Sequence, residues 1–230
     1  MDGKKKVSAF IVAFLLLSSV MAMYTIIVTK APPAPIRVAC VGDSITQGSG
    51  YPYKLQMLLG SNYTVRNFGV SGSTVSLNST IPYMKQPAFK EAEAFDPDIV
   101  VIMLGTNDAN PEIAYNEDNF SVDYTHLVSS FQELAGDQLI WAVKSPPIFS
   151  NTSSYNNTYL ASTVLPEVDD VANQLNLPTT DMYSAFSNRS NFFMDGVHPN
   201  PDGATIIASK VYDAITLPDG SPDNSNFGDG

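Results

Sequence analysis

Ile99-Val100-Val101-Ile102-Met103-Leu104 is an unbroken apolar run, entered from Asp96-Pro97-Asp98 and left through Gly105-Thr106-Asn107-Asp108. Four of its six residues are β-branched, and the run is too short for a buried helix, so it reads as a strand. Successive strand side chains point to opposite faces. A strand that is apolar at every position therefore needs cover on both faces, the condition of a parallel sheet packed between helices. Residues 36–41, Ile-Arg-Val-Ala-Cys-Val before Gly42, repeat the pattern.

Outward from these two strands, the chain alternates. Residues 51–59 carry Tyr51, Leu55, Leu58 and Leu59 on one side and stop at Gly60, a helix. Residues 63–67 form a short strand. Residues 87–95 form a helix ended by Asp96-Pro97. Residues 123–134 form an amphipathic helix with the stripe Tyr124, Leu127, Val128, Phe131 and Leu134. A strand over 138–143 stops at Ser145-Pro146-Pro147. A helix over 159–175 breaks near Pro166, a weak strand covers 178–181, and a last helix covers 202–215. This β-α alternation predicts a three-layer α/β/α sandwich over residues 36–216. Such sheets hold ligands beyond the carboxyl ends of their strands.

The 230 residues suit one domain with a short segment at each end, and the 44% apolar content suffices for one core. Residues 1–6 are basic, with Lys4, Lys5 and Lys6. Residues 7–28 contain no charge and have the length of a membrane span, either a retained anchor or a cleaved signal. Residues 29–35 form a Pro-rich linker. The Asp-, Asn-, Gly- and Pro-rich stretch 217–230 reads as a disordered tail. The lysines would stay cytosolic and the body would be exported, tethered or released. Six Asn-x-Ser/Thr sequons, at Asn62, Asn78, Asn119, Asn151, Asn156 and Asn188, agree with a secretory route.

Beyond Lys30 the chain holds 8 basic and 22 acidic residues, a net of −14, which argues against a nucleic-acid partner. One cysteine, Cys40, and two histidines offer no cluster with metal-ligand spacing, so neither metal nor cofactor is expected. Cys40 reads as a core residue and His126 as a surface one.

Three polar clusters follow strands: Gly42-Asp43-Ser44-Ile45-Thr46, Gly69-Val70-Ser71-Gly72-Ser73-Thr74 and Gly105-Thr106-Asn107-Asp108. A fourth, Asp195-Gly196-Val197-His198-Pro199, precedes the last helix. A serine hydroxyl needs a base to become a nucleophile, and imidazole is the usual one near neutral pH. With His126 on a solvent face, His198 is the base. Asp195, three residues earlier, can reach it across one turn. Ser71 is a rival nucleophile, because Gly69-Val70-Ser71-Gly72 partly matches a nucleophile elbow, though Ser73 stands where the second glycine belongs.

In order, the four clusters resemble the consensus blocks of the SGNH (GDSL-type) hydrolases. Ser44 matches the block I serine, Gly72 the block II glycine, Asn107 the block III asparagine, and Asp195 and His198 the block V pair. The resemblance runs from about Ile36 to Ile215. It implies a flavodoxin-like fold, a Ser44–His198–Asp195 triad, and an oxyanion hole made by the Ser44 N–H, the Gly72 N–H and the Asn107 side-chain amide. Asp43 and Asp108 are then structural. Replacing Asn107 is expected to slow the reaction with little loss of stability. The segments 67–74, 82–89 and 105–111 resemble the branch containing sialate and other carbohydrate O-acetylesterases, which implies short acyl esters on a glycan as substrate. A lysophospholipase or broad esterase is the alternative within the family, and a silent surface binding module is the alternative outside catalysis. A metal-dependent phosphoesterase would need several histidine ligands, and only His198 is available.

Overall fold

The computed structural model describes residues 14–19, 21, 33–110, 112–113, 119–150 and 155–217. The chain divides into two units, Met1–Ala34 and Pro35–Gly230. In the first, residues 14–19 are helical with exposed side chains. The expected membrane span over 7–28 falls mostly outside the described residues, as does the expected tail beyond 217. Among the described residues, no helix is long and apolar enough to cross a membrane.

The second unit is built on a five-stranded sheet: β1 (Ile36–Gly42), β2 (Tyr63–Gly69), β3 (Ile99–Met103), β4 (Leu139–Lys144) and β5 (Thr179–Asp181). Every pairing is parallel, in the order β2-β1-β3-β4-β5. That is the flavodoxin-like order, whose switch point lies between β1 and β3. The helices are α1 (Ser44–Gly48), α2 (Tyr51–Leu59), α3 (Pro87–Ala94), α4 (Phe120–Gln132), α5 (Leu165–Leu175), α6 (Met182–Ala185) and α7 (Pro201–Thr216).

The central strands feed two cores, as their unbroken apolar runs require. Ala39 and Val41 of β1 join Val100 and Ile102 of β3 on one face, under α3, α4 and α5. Val38 and Cys40 join Ile99, Val101 and Met103 on the other, under α2 and α7. Cys40 is a free, fully buried thiol, and burial pushes it up to about 12 despite a partly offsetting contact with Tyr51.

Three local expectations change. Leu58 is exposed, because the inward row of α2 is Tyr51, Leu55 and Leu59, spaced at one helical turn. Helix α4 begins at Phe120, three residues early, because Phe120 is buried and stacks on Tyr124 at 5.9 Å. The helix through Pro166 does not break. A turn at Asn157–Tyr159 passes into a π-helical stretch, Leu160–Val164, and then directly into α5.

Candidate active site

Strand register brings the site together. Gly42 pairs with Gly69 on one side and Met103 on the other, so β1, β2 and β3 end at one level. The three loops that follow carry Ser44, Gly72 and Asn107. Asp43 caps the short helix α1, its Oδ1 accepting from the Ile45 N–H at 2.9 Å, and Ser44 is the first residue of that helix. Asn67 braces the same helix, its amide donating to the carbonyls of Thr46 (2.9 Å) and Gln47 (3.2 Å).

The second loop turns tightly, with the Ser73 N–H donating to the Val70 carbonyl at 3.1 Å. Gly72 has φ +76°, the value such a turn requires at its third position and one that side chains other than glycine resist. Third-loop side chains hold the second. Asn107 Nδ2 donates to the Ser73 carbonyl at 3.0 Å. Asp108 accepts from the N–H groups of Val75 (3.1 Å) and Ser76 (3.0 Å). Asp43 and Asp108 thus have the structural roles expected of them.

The loop 194–199 carries Asp195 and His198. Asp195 Oδ1 accepts from the Val197 N–H (2.9 Å) and the His198 N–H (2.7 Å), which folds the turn. Asp195 Oδ2 lies 2.7 Å from His198 Nδ1, and His198 Nε2 lies 2.9 Å from Ser44 Oγ. Partial burial pushes the Asp195 carboxyl up, but the bonds from His198 and Val197 outweigh it and bring it down to about 2. At neutral pH it is a carboxylate and can only accept. In the neutral imidazole the Nδ1 hydrogen therefore faces Asp195, and Nε2 presents its lone pair to the Ser44 hydroxyl. Beneath this loop, Phe193 packs between Phe149 and Phe186, with ring centroids 5.2 Å away in each case.

Ser71 is exposed, and its N–H donates to the Gln47 side chain. His126 is exposed on α4. One participant escaped the sequence: Tyr155, whose hydroxyl donates to Asn107 Oδ1 at 3.4 Å.

A profile of the GDSL-like lipase/acylhydrolase family matches residues 40–206. The chain belongs to this family. The GDSL-type chain is therefore a carboxylic ester hydrolase by class. It is 35% identical to an acetylxylan esterase of Xylanibacter ruminicola, over 81% of this chain and 45% of that protein. It thus spans less than half the length of that relative. Its fold is shared with a carbohydrate acetylesterase family member from Sinorhizobium meliloti (TM-score 0.62, 20% identity, covering 78% of this chain and 97% of the other). It is also shared with the aryl esterase of M. smegmatis (TM-score 0.62, 18% identity, 78% and 98%). A third solved structure, an acetyl xylan esterase, gives TM-score 0.63 and 20% identity over 78% and 100%.

Proposed function

We propose that this chain is a serine esterase that removes short acyl groups, foremost acetyl groups, from carbohydrate. The observation that carries the reading is the unbroken line Ser44 Oγ–His198 Nε2 (2.9 Å) and His198 Nδ1–Asp195 Oδ2 (2.7 Å) at the switch point of the sheet. Ser44 attacks the ester carbonyl as its proton passes to His198 Nε2, and Asp195 stabilises the imidazolium. The oxyanion is met by the Ser44 N–H, the Gly72 N–H and the free Nδ2 hydrogen of Asn107. The tetrahedral centre collapses, His198 returns the proton to the departing sugar oxygen, and an acyl-Ser44 remains. Water, deprotonated by His198, attacks the acyl carbonyl, and as that centre collapses His198 returns the proton to Ser44 Oγ and the acid leaves.

Two facts support a short acyl group on a polar scaffold. The 35%-identical relative is named for acetylxylan. Among the described residues of the loops that surround Ser44, Met194 is the only large apolar side chain that is exposed. A long acyl chain needs an apolar groove to accept it. Ser44→Ala should abolish covalent labelling by a fluorophosphonate probe and lower turnover by several orders of magnitude. A chain-length series of p-nitrophenyl esters beside O-acetylated sugars tests the substrate class. Efficiency peaking at long acyl chains, with no acetate released from any sugar, would overturn the carbohydrate reading and leave the triad intact.

We also propose that the esterase unit works outside the cytosol, tethered by residues 7–28 or released after cleavage. The support is the lysine cluster before an uncharged run. In intact microsomes the esterase unit should resist added protease and carry glycosidase-sensitive glycans. Digestion from the cytosolic side, with no glycan, would refute it.

A further inference from the structure

Asn107 is 1% exposed, and each atom of its amide is engaged. Nδ2 donates one hydrogen to the Ser73 carbonyl at 3.0 Å. A carbonyl can only accept, so that bond fixes the amide's orientation and turns Oδ1 towards Tyr155. The Tyr155 hydroxyl, 3.4 Å from Oδ1, must therefore act as donor. The arrangement leaves one Nδ2 hydrogen, and the two bonds set its direction.

The two residues that follow Tyr155 anchor it. The next residue, Asn156, donates its N–H to the carbonyl of Ala109 in the Asn107 loop at 3.2 Å. Asn157 accepts from the Ile148 N–H at 2.8 Å and donates to the Tyr183 hydroxyl at 3.0 Å, which ties the segment to the exit of β4 and to α6. The hydroxyl also lies within the field of the site. Burial raises its pKa first, and the charges of Asp43 and Asp195 raise it further, so it keeps its proton and remains a donor.

We propose that Tyr155 is a positioning residue of the oxyanion hole, its hydroxyl holding and polarising the Asn107 amide so that the remaining Nδ2 hydrogen meets the developing oxyanion. The inference rests on the esterase reading above. A donor at Oδ1 draws electron density from the amide nitrogen and makes its remaining hydrogen a stronger donor, the cooperative effect of linked hydrogen bonds. Catalytic hydrogen bonds that are long in the free enzyme tighten in the transition state, and a 3.4 Å contact has room to shorten.

The test is a double-mutant cycle on the whole chain, with Tyr155→Phe and Asn107→Ala alone and combined. The readouts are the second-order rate of fluorophosphonate labelling, and kcat and KM on a short p-nitrophenyl ester. Tyr155→Phe keeps the ring but leaves the buried Asn107 Oδ1 without its donor, so the variant should fold with a modestly lowered Tm. It should slow labelling and kcat by about tenfold, the effect of one ordinary hydrogen bond, with KM within about twofold. On the Asn107→Ala background, removing the hydroxyl should change neither rate. An equal loss in both backgrounds, a change confined to KM, or no loss at all would overturn the positioning role while Ser44→Ala still abolishes labelling. Labelling that survives Ser44→Ala would overturn the esterase reading itself.

Discussion

Asp195 divides its two oxygens between two tasks, one folding the turn and the other holding the imidazole. Asn107 has the same double character. It is buried, so its replacement is not confined to chemistry. Asn107→Ala should slow turnover by about 10²–10³, as for one lost oxyanion donor. It should also cost about 1–3 kcal/mol of stability, because the Ser73 carbonyl loses its buried donor. That second effect revises the sequence-based expectation of little stability loss. Chemical denaturation measured beside kcat checks both parts, and an unchanged midpoint would show that water or a rearranged donor replaces the amide. Short motifs at strand ends and before a helix drew attention to Ser44, Asp195 and His198, and the family resemblance added Gly72 and Asn107; the structure joins Ser44, His198 and Asp195 in one hydrogen-bonded line. Tyr155 was not legible in the sequence. A lone tyrosine in an Asn/Ser/Thr-rich stretch carries no local pattern, and its role exists only through a contact with a residue 48 positions earlier.

At the scale of elements, the strands were legible because both-face burial leaves an unmistakable run of apolar residues. The helix through Pro166 was misread for a local reason. Proline lacks an N–H and crowds the carbonyl four residues back, so it normally ends a helix. Here the preceding turn widens to π-helical, with the Leu165 N–H reaching the Leu160 carbonyl, and the helix continues. The widened turn also places Val164 against Gly105, at the head of the Asn107 loop. A comparable close approach holds the Asp195–His198 turn. The Phe149 N–H donates to the Gly196 carbonyl at 2.7 Å. Gly196 has φ +85°, and a Cβ there would lie 2.6 Å from the Ser150 nitrogen. Gly196→Ala must therefore move the Asp195–His198 turn off the end of β4 or strain it, at about 1–3 kcal/mol. The expected outcome is a lowered Tm together with fluorophosphonate labelling slowed well beyond what partial unfolding explains. A variant with parental labelling would show that the turn does not depend on this contact.

Across the whole molecule, the buried carboxyls make stability depend on pH in an unusual direction. Asp43 and Asp108 are both buried, and burial pushes them up, to about 7 and about 6, although hydrogen bonds from Ile45, Val75 and Ser76 pull the other way. Asp43 Oδ2 and the Thr106 hydroxyl are buried without closing a full hydrogen bond, so the ionised form is poorly solvated. The folded state therefore keeps protons that the unfolded chain releases near pH 4. Stability from these groups is complete below that value and is lost as pH rises through about 6 and 7. Asp195 has the opposite sign: its contribution is present above the ordinary carboxyl range and is lost only as pH falls through about 2, outside this window. The net charge of −11 adds self-repulsion over the same rise in pH, but salt screens that part and leaves the buried part in place. Asp43→Asn keeps the oxygen that caps α1 and removes the titration. In high salt, the Tm of the parent should fall between about pH 4 and 7, and the Asp43→Asn variant should fall distinctly less, with Asp108 supplying the remainder. Equal slopes for the two proteins would mean that Asp43 is ionised in the folded state throughout, with its second oxygen solvated after all.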